Sequence, residues 1–437
     1  MKVNFQALGC RLNEAELESW SQEFMRQGHQ LTLDSKDADL VIFNSCSVTT
    51  EADRKSRKLI NRIHRSNPDS KLVVTGCYAS LQTQQVEQQL GVDLVIDNQN
   101  KDTLVADVLD KLNIYPPAEI AEIADHSIFS RGRHRAFIKV QDGCRYKCTF
   151  CIVTVARGAE RSRKEQEIID EINHHHRLGV QEAVITGVHV GGYGSDQGSS
   201  LYRLINQILE KTEIPRIRLA SVEPWDLPDN FFDLFKNTRL MPHMHLPLQS
   251  GSDPVLRRMA RRCKTAEFER IVGLARSSVA HFNITTDLIV GFPGESEKDW
   301  EETMNFCEKI GFGHMHIFSF SPREGTRAAN FPDQIDGLQK KERSQQMHEL
   351  AQELKAKQLS QLIGEEVEVL WEQRLGSGTG EWAGYTQHYH RIASKWPKLD
   401  EQRISRLLVK AVSDNPLCLQ GENGIENKTQ RQEVYFA

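Results

Sequence analysis

The chain has 437 residues, too many for one ordinary domain and enough for two or three. Its hydrophobic fraction of 39% supports packed cores, and it has no run of about 18 apolar residues that would predict a membrane span. With 55 basic and 60 acidic residues the net charge is −5, which excludes a uniformly basic surface but not local basic patches. The N-terminus lacks a signal-peptide pattern, and nine cysteines favour metal ligands or core positions over a disulfide framework, so we expect a cytoplasmic protein.

The first 115 residues predict a domain built on a parallel sheet. Short β-prone runs alternate with helix-like stretches, which is the rhythm of βαβ units. The predicted strands are 3–8, 40–44 and 71–75, and the predicted helices are about 13–27, 51–65 and 80–90. Each predicted strand is followed by a cysteine, namely Cys10, Cys46 or Cys77. Because the carboxyl ends of parallel strands share one edge, where ligands bind, we expect the three thiols to converge.

A single cysteine of this kind is usually a small buried hydrophobe. Three cysteines at equivalent topological positions instead predict an iron–sulfur site with three thiolate ligands. A [4Fe–4S] cluster normally takes four thiolates, so such a site leaves one iron open. Each cysteine also precedes a helix, whose N-terminal dipole favours a thiolate.

A basic run follows Cys46. Six Lys or Arg residues lie between Arg54 and Arg65 with no acidic residue among them. Such a run is usually a solvated helix face, but basic surface beside a cluster also fits a polyanionic substrate.

Residues 116–129, which include Pro116 and Pro117, are predicted to be a linker to a central domain at 130–362. Six β-like runs separated by helical stretches predict a partial (β/α)6 barrel, similar to a TIM barrel but open along one side. The β-like runs are 136–140, 183–186, 216–222, 244–248, 283–290 and 314–320.

The first of these strands leads into a C-x3-C-x2-C loop formed by Cys144, Cys148 and Cys151. No fourth cysteine lies nearby, so a [4Fe–4S] cluster on this loop would keep one iron for a small chelating ligand. The spacing indicates S-adenosylmethionine (SAM), which such a cluster cleaves reductively to a 5′-deoxyadenosyl radical. The competing hypothesis is zinc, which in structural sites takes four ligands, usually in two pairs; no second pair flanks the loop.

Candidate SAM contacts lie on or near the ends of the barrel strands. They are Phe150, Gly187, Glu223 and Gly291. Glu223 could bind the ribose hydroxyls or the amine of SAM, whereas for the turn glycines a purely conformational role is equally compatible with the sequence. His243 and His245 are assigned to packing or to a substrate-facing role and not to a metal site. The remaining cysteines, Cys263, Cys307 and Cys418, are assigned to core or surface positions.

A long helix is predicted at about 337–362, where its apolar stripe would brace the barrel. Residues 363–437 predict a small β-barrel followed by a polar tail from about residue 421. Its predicted strands are 366–371, 380–385 and 407–412.

Taken together, these motifs resemble the radical-SAM methylthiotransferase family over nearly the whole chain. That family joins an N-terminal domain, a radical-SAM barrel and a C-terminal TRAM β-barrel. The segments 8–13, 44–57 and 156–163 most resemble its MtaB type. The resemblance implies an auxiliary [4Fe–4S] cluster on Cys10, Cys46 and Cys77. It also implies a radical-SAM [4Fe–4S] cluster on Cys144, Cys148 and Cys151.

The MtaB type converts N6-threonylcarbamoyladenosine at position 37 of tRNA, beside the anticodon, to its 2-methylthio derivative. The implied partners are therefore the tRNA anticodon loop, an electron donor such as a flavodoxin-type protein, and a sulfur donor, with no membrane. Related targets are isopentenyladenosine-37 of tRNA and an aspartate of a small-subunit ribosomal protein. A different class, an iron–sulfur RNA-binding or electron-transfer protein with no radical step, is also compatible with the cysteines.

Overall fold

The computed structural model describes residues 1–115, 134–376, 380–395, 403–414 and 416–423. The predicted linker at 116–129 and most of the predicted polar tail lie outside the described residues. Among the helices of the described ranges, none is long and apolar enough to cross a membrane.

The N-terminal domain is a five-stranded sheet in which every strand pair is parallel, as predicted. The strand order is β2-β1-β3-β4-β5. The strands are β1 (Lys2–Ala7), β2 (Gln30–Leu31), β3 (Leu40–Ser45), β4 (Lys71–Gly76) and β5 (Leu94–Ile96). The helices are α1 (Arg11–Arg26), α2 (Thr50–Ser66), α3 (Cys77–Leu81), α4 (Thr83–Glu87) and α5 (Leu104–Lys111).

The central strand β3 is buried along its whole length, because apolar cores cover both faces of the sheet. The continuous apolar run that this burial requires is what made β3 predictable. The single helix expected at 80–90 is wrong: the chain forms the two short helices α3 and α4, which meet at Gln82. Strands β2 and β5 are too short, at two and three residues, to produce a sequence pattern.

The central domain is a partial barrel of six parallel strands, as predicted. The six parallel strands are β6 (Arg135–Asp142), β8 (Glu182–Gly187), β9 (Arg216–Leu219), β10 (His243–His245), β11 (Asn283–Val290) and β12 (His314–Ser319), and a further short strand is β7 (Arg161–Ser162). Its helices are α6 (Val153–Arg157), α7 (Glu165–Arg177), α8 (Leu201–Lys211), α9 (Asp253–Arg258), α10 (Thr265–Ser278), α11 (Glu297–Ile310) and α12 (Gly337–Ser360). The short strand β7 pairs antiparallel with β6.

Two hydrogen-bonded sheets make up the barrel, β7-β6-β8-β9 and β10-β11-β12. Isolated parallel bridges join them, from Ile217 to Leu240 and from Ser221 to His245. The strand order therefore runs from β6 to β12 without returning to β6, so the barrel is open between these two strands.

Side chains alternate across the barrel wall. Ile138, Ile185, Ile217 and Ile284 belong to the large core beneath the surrounding helices. Their strand neighbours point the other way, because successive side chains of a strand alternate between its two faces. We call this second face, which points away from the helices, the inner face. The predicted helix α12 places Met347 and Leu354 in the same core and so braces the wall.

The C-terminal region is a closed five-stranded barrel, which agrees with the predicted small β-barrel. Its order is β13-β14-β15-β17-β16. The strands are β13 (Glu366–Leu375), β14 (Glu381–Thr386), β15 (Arg391–Lys395), β16 (Ile404–Asp414) and β17 (Leu417–Asn423). The sequence prediction missed β15 and β17.

A turn of this small barrel covers the amino end of the central barrel. Glu182, fully buried at the start of β8, binds Arg216 at 2.9 Å and Arg218 at 3.0 Å. Arg216 also donates to the Thr386 carbonyl oxygen at 3.2 Å. The guanidinium of Arg218 lies 4.7 Å from the centre of the Tyr389 ring. The C-terminal barrel is thus held in place by buried charges that the central strands provide.

Candidate active site

The structure brings Cys10, Cys46 and Cys77 together at the carboxyl edge of the N-terminal sheet. The charges of Cys10 and Cys77 both act on Cys46. A Cβ atom at Gly9, whose φ is +114°, would lie 2.8 Å from Cys46 Sγ, so only glycine allows this close approach. Gly76, with φ of +98°, similarly turns the chain from β4 into Cys77.

Cys46 and Cys77 are buried, whereas Cys10 is exposed. Burial raises the pKa of Cys46 to about 11, so this group is a neutral thiol at pH 7 when nothing is bound. Metal ligands must be thiolates, and a bound cation would therefore release a proton here.

The C-x3-C-x2-C loop follows β6 directly. Gly143 has φ of +70°, and a Cβ atom there would lie 1.9 Å from the Ala159 carbonyl oxygen, so glycine is required before Cys144. The Cys151 backbone N–H donates to the Cys148 carbonyl oxygen at 3.1 Å, which curls the loop. Burial raises the pKa of Cys144 to about 11 and that of Cys151 to about 12, and the charge of Cys148 contributes to both shifts. The three thiols are therefore close enough to influence one another electrostatically.

Both sets of thiols fit an iron–sulfur cluster. N–H groups point at their sulfur atoms: Asn98 Nδ2 lies 3.8 Å from Cys77 Sγ, and Arg261 Nη1 lies 4.0 Å from Cys148 Sγ. Such N–H groups typically donate hydrogen bonds to the sulfur ligands of iron–sulfur clusters, and a cation suits an anionic cluster. In the part of the chain that the structure describes, the other three cysteines, Cys263, Cys307 and Cys418, are buried, which agrees with their assignment to core or surface positions. Cys263 and Cys307 belong to the main core.

The two sites lie on either side of one contact between domains. Helix α3 begins at Cys77, and α6 begins two residues after Cys151. Asn98 Nδ2 joins the two sides, because it reaches Cys77 Sγ and also donates to the Ala156 carbonyl oxygen at 2.8 Å. Ala156 belongs to α6, so the Asn98 side chain links the Cys77 thiol to the helix that follows the cysteine loop.

A buried-charge cluster lies between the N-terminal and central domains, and no sequence motif indicated it. We define it as Glu16, Lys101, Lys139, Asp142 and Arg157. Arg157 Nη1 binds Glu16 Oε1 at 3.0 Å and Asp142 Oδ1 at 3.1 Å. The charges of Glu16, Cys77, Asp142 and Cys10 outweigh burial and raise the pKa of Arg157 far above its ordinary value. Arg157 is therefore a permanent cation beside the N-terminal thiols.

His189 is a second residue near the cysteine loop that no sequence motif singled out. Its Nδ1 contacts Glu160, and its Nε2 lies 2.6 Å from Asp226 Oδ2. Burial favours the neutral ring, but hydrogen bonds and charge from the two carboxylates outweigh it and raise the pKa of His189. One ligand atom each from Cys144, Glu160 and His189 lies within 4.8 Å of the others. Since both ring nitrogens are already paired with carboxylates, His189 is poorly placed to complete a zinc site.

The four predicted SAM contacts have the following positions. Phe150 packs against the small apolar cluster that contains Phe292. Glu223 binds Arg261 Nη2 at 2.8 Å, which places it beside the cysteine loop through Arg261. Gly187 lies against Gln141, whose carbonyl oxygen would be 2.9 Å from an added Cβ. Gly291 has φ of +70° and lies against Lys340, so its conformation alone explains the glycine.

Two family models match separate parts of the chain. Residues 2–97 match the uncharacterized protein family UPF0004, and residues 138–307 match the radical SAM superfamily. The structure of the radical SAM methyltransferase TsrM from Kitasatospora setae, with cobalamin and a [4Fe–4S] cluster bound, is similar with a TM-score of 0.57. At 14% identity, over 75% of this chain and 77% of that one, this likeness concerns the fold alone.

Curated relatives are similar over almost their whole length. The threonylcarbamoyladenosine tRNA methylthiotransferase MtaB of Thermotoga maritima is 37% identical, over 89% of this chain and 90% of its own. The MtaB of Bacillus subtilis is 33% identical, over 90% of both chains. The tRNA-2-methylthio-N(6)-dimethylallyladenosine synthase of Bacillus velezensis is 31% identical, over 94% of this chain and 83% of its own. The chain therefore belongs to the radical-SAM methylthiotransferase family, and within that family to the MtaB type.

Proposed function

We propose that this protein converts N6-threonylcarbamoyladenosine at position 37 of tRNA to 2-methylthio-N6-threonylcarbamoyladenosine. The observation that carries the proposal is the pair of three-thiol sites on either side of the α3–α6 contact. The relatives named for this substrate are the more similar ones, at 33–37% identity, against 31–32% for relatives named for dimethylallyladenosine. This difference favours threonylcarbamoyladenosine over isopentenyladenosine. The name of each of these relatives specifies tRNA and not a ribosomal protein.

The cofactors are two [4Fe–4S] clusters and SAM. We propose that Cys10, Cys46 and Cys77 hold the auxiliary cluster. We propose that Cys144, Cys148 and Cys151 hold the radical-SAM cluster. When bound, these groups supply the radical that removes hydrogen from adenine C2 and the sulfur that replaces it. An aromatic C–H is far too weak an acid for an ordinary side-chain base, which is why this chemistry requires such cofactors.

The chain's own residues position these groups and balance their charge. Asn98 and Arg261 direct N–H groups at Cys77 and Cys148. Arg157 places a buried positive charge near the N-terminal thiols. Phe150, Gly187, Glu223 and Gly291 remain our proposed SAM contacts. Of these, Glu223 has the strongest support, because Arg261 links it to the cysteine loop.

We propose that the tRNA backbone binds along α2. All six of its basic residues are exposed, and the helix begins four residues after Cys46. A polyanion on this face would bring its target base to the auxiliary site. The basic residues are Arg54, Lys55, Arg57, Lys58, Arg62 and Arg65.

We further propose a division into an N-terminal domain at 1–115, a linker at 116–129, a radical-SAM domain at 130–362 and a TRAM-like domain at 363–437. We place the protein in the cytoplasm, where a flavodoxin-type electron donor and a sulfur donor would serve it. These expectations follow from the motifs of the chain and from the tRNA-modifying activities for which its relatives are named.

The test is anaerobic reconstitution followed by reaction with tRNA that carries threonylcarbamoyladenosine. We expect about eight irons per chain, formation of 5′-deoxyadenosine and appearance of the methylthio nucleoside by mass spectrometry. Cys10→Ala should retain about four irons and SAM cleavage but lose methylthiolation. The control, Cys307→Ala in the buried core of α11, should retain all three properties. SAM cleavage with product only from isopentenyladenosine tRNA would reject the substrate, and no 5′-deoxyadenosine from the fully loaded protein would reject the radical step.

A further inference from the structure

A group of polar side chains lies on the inner face of the last three barrel strands, outside both thiol sites. It comprises His245 on β10, Asp287 on β11 and His316 on β12. One ligand atom from each lies within 4.8 Å of the others. His245 Nε2 lies 3.2 Å from Asp287 Oδ1, and Asp287 is paired in register with His316. We call these three residues the inner-face triad.

The triad is oriented and accessible. His245 Nδ1 is hydrogen bonded to Thr285 Oγ1 at 3.0 Å, which turns its Nε2 toward Asp287. The Asp287 side chain is 28% exposed, and His316 is exposed. Phe318, two residues further along β12 on the same face, is 46% exposed, which leaves an aromatic surface next to the triad. Aromatic surfaces of this kind stack nucleic-acid bases.

The triad combines a charged acceptor with a neutral imidazole. Burial alone would raise the pKa of Asp287, but the hydrogen bond from His245 and nearby positive charge lower it. Burial and neighbouring groups lower the pKa of His316, so this ring is neutral at pH 7. Asp287 can therefore accept hydrogen bonds, and His316 can both donate and accept.

Arg11 brings a cation to the same opening. It is the first residue of α1 and directly follows Cys10. Its guanidinium lies 5.1 Å from the centre of the Phe137 ring on the inner face of β6, and its charge acts on His316 across the gap in the barrel. Its ion pair with Glu14 is 3.0 Å long, but the Arg11 side chain is 56% exposed. Exposed pairs of this kind contribute little, so Arg11 is free to exchange partners.

These groups match the substituent that distinguishes the proposed substrate. A threonylcarbamoyl group has a carboxylate, a hydroxyl and carbamoyl N–H groups, whereas an isopentenyl group has none of them. The substituent on N6 and the reacting C2 lie on the same edge of adenine. A base whose C2 reaches the Cys10 site therefore brings its N6 substituent close to the residue next to Cys10.

Resting on the function proposed above, we infer that Arg11, Asp287 and His316 recognise the threonylcarbamoyl group. Arg11 pairs with its carboxylate, Asp287 accepts a hydrogen bond from its hydroxyl or a carbamoyl N–H, and His316 makes a further hydrogen bond.

Two histidines and a carboxylate are also the donor set of a divalent metal site. Positive charge from Arg11 acts on His316, and that of Arg261 acts on Asp287, which disfavours a metal cation between them.

An apolar isopentenyl group would offer no partner to Arg11 or Asp287, which would keep only their pairs with Glu14 and His245. A site built to hydrogen bond its substrate rejects an analogue that lacks the polar groups, because its own polar atoms are then unpaired. A hydrogen bond to a charged group contributes about 1.5–3 kcal/mol, which corresponds to roughly tenfold to a hundredfold in affinity. This is the preference that the triad and Arg11 should create.

The experiment measures binding of the cluster-loaded protein to two forms of one tRNA, anaerobically and at one salt concentration. The two forms differ only at position 37, which is either threonylcarbamoyladenosine or adenosine. The native protein should bind the first form about tenfold or more tightly. Arg11→Met and His316→Phe should each reduce this ratio by about fivefold or more and leave the iron content unchanged. The matched control is His314→Phe, on the same strand and face, with its ring centre 4.6 Å from that of His316. It should keep the native ratio.

A native preference that survives in both variants would overturn this inference while leaving the proposed function intact. An equal reduction of the binding ratio in His314→Phe would also overturn the inference, because the effect would then not be specific to His316. Absence of both preference and methylthiolation in the native protein would instead reject the proposed function. A stoichiometric divalent metal that is lost in Asp287→Asn would show that the triad is a metal site and would refute substrate recognition.

Discussion

Replacement of Glu16 by glutamine tests whether the buried-charge cluster holds the N-terminal domain against the barrel. Glu16 is only 3% exposed, and its carboxylate lies 2.6 Å from Lys101 Nζ and 3.0 Å from Arg157 Nη1. Lys139 Nζ lies 3.4 Å away and also binds Asp142 at 2.8 Å. Within the cluster, three cations thus face two carboxylates.

The charge balance sets the expected magnitude. Glu16→Gln leaves three buried cations with the single carboxylate of Asp142. Loss of one partner from a buried ion pair costs about 3–5 kcal/mol, and we expect the lower end because glutamine retains one acceptor oxygen. Arg157→Met leaves two cations and two carboxylates in the buried-charge cluster. In protein without iron–sulfur clusters we therefore expect a smaller loss of stability than for Glu16→Gln. The exposed pair of Glu51 with Arg54 provides a control, and Glu51→Gln should cost less than about 1 kcal/mol.

The assay is urea denaturation of the protein without its iron–sulfur clusters, under anaerobic conditions. Unfolding is monitored by tryptophan fluorescence. Trp20 on α1 reports on the buried-charge cluster, because Lys101 Nζ lies 5.6 Å from the centre of the Trp20 ring. A double-mutant cycle with Lys101→Met isolates the pair, and we expect a coupling energy above about 1 kcal/mol. If Glu16→Gln lowered the free energy of unfolding no more than Glu51→Gln, the buried-charge cluster would not stabilise the protein.

Two further predictions concern the cysteine loop and the C-terminal barrel. Gly143→Ala should lower the iron content toward that of the auxiliary site alone, because its Cβ would lie 1.9 Å from the Ala159 carbonyl oxygen; a full complement of about eight irons would contradict this. Burial and nearby positive charge lower the pKa of His388 to about 3 and of His390 to about 4, against about 6.5 when unfolded. The unfolded chain therefore binds more protons as the pH falls from 6.5 toward 4, and each histidine should remove up to about 1.4 kcal/mol of stability per pH unit. Denaturation between pH 7.5 and 5 checks this, and a flat profile would contradict it.

Most of the fold followed from local patterns. The buried run of β3 and the eight-residue run of β11, predicted at 283–290 and found at Asn283–Val290, are long enough to be recognised alone. Elements of two or three residues, such as β2 and β10, are strands only because a neighbour supplies their hydrogen bonds. The prediction of one helix at 80–90 was wrong. The polar and apolar residues there fit helical periodicity, but the tertiary structure interrupts the helix at Gln82.

The sequence by itself singled out the six cysteines of the two proposed sites, because ligand chemistry is carried by residue type and the loop spacing is local. It also predicted that three distant cysteines converge, since parallel strands share one edge. Only the tertiary structure decided what surrounds them. Arg157 meets Glu16 across 141 positions of the chain, and the inner-face triad joins three strands. Such contacts depend on how domains and strands pack, and no periodicity within a short segment encodes them.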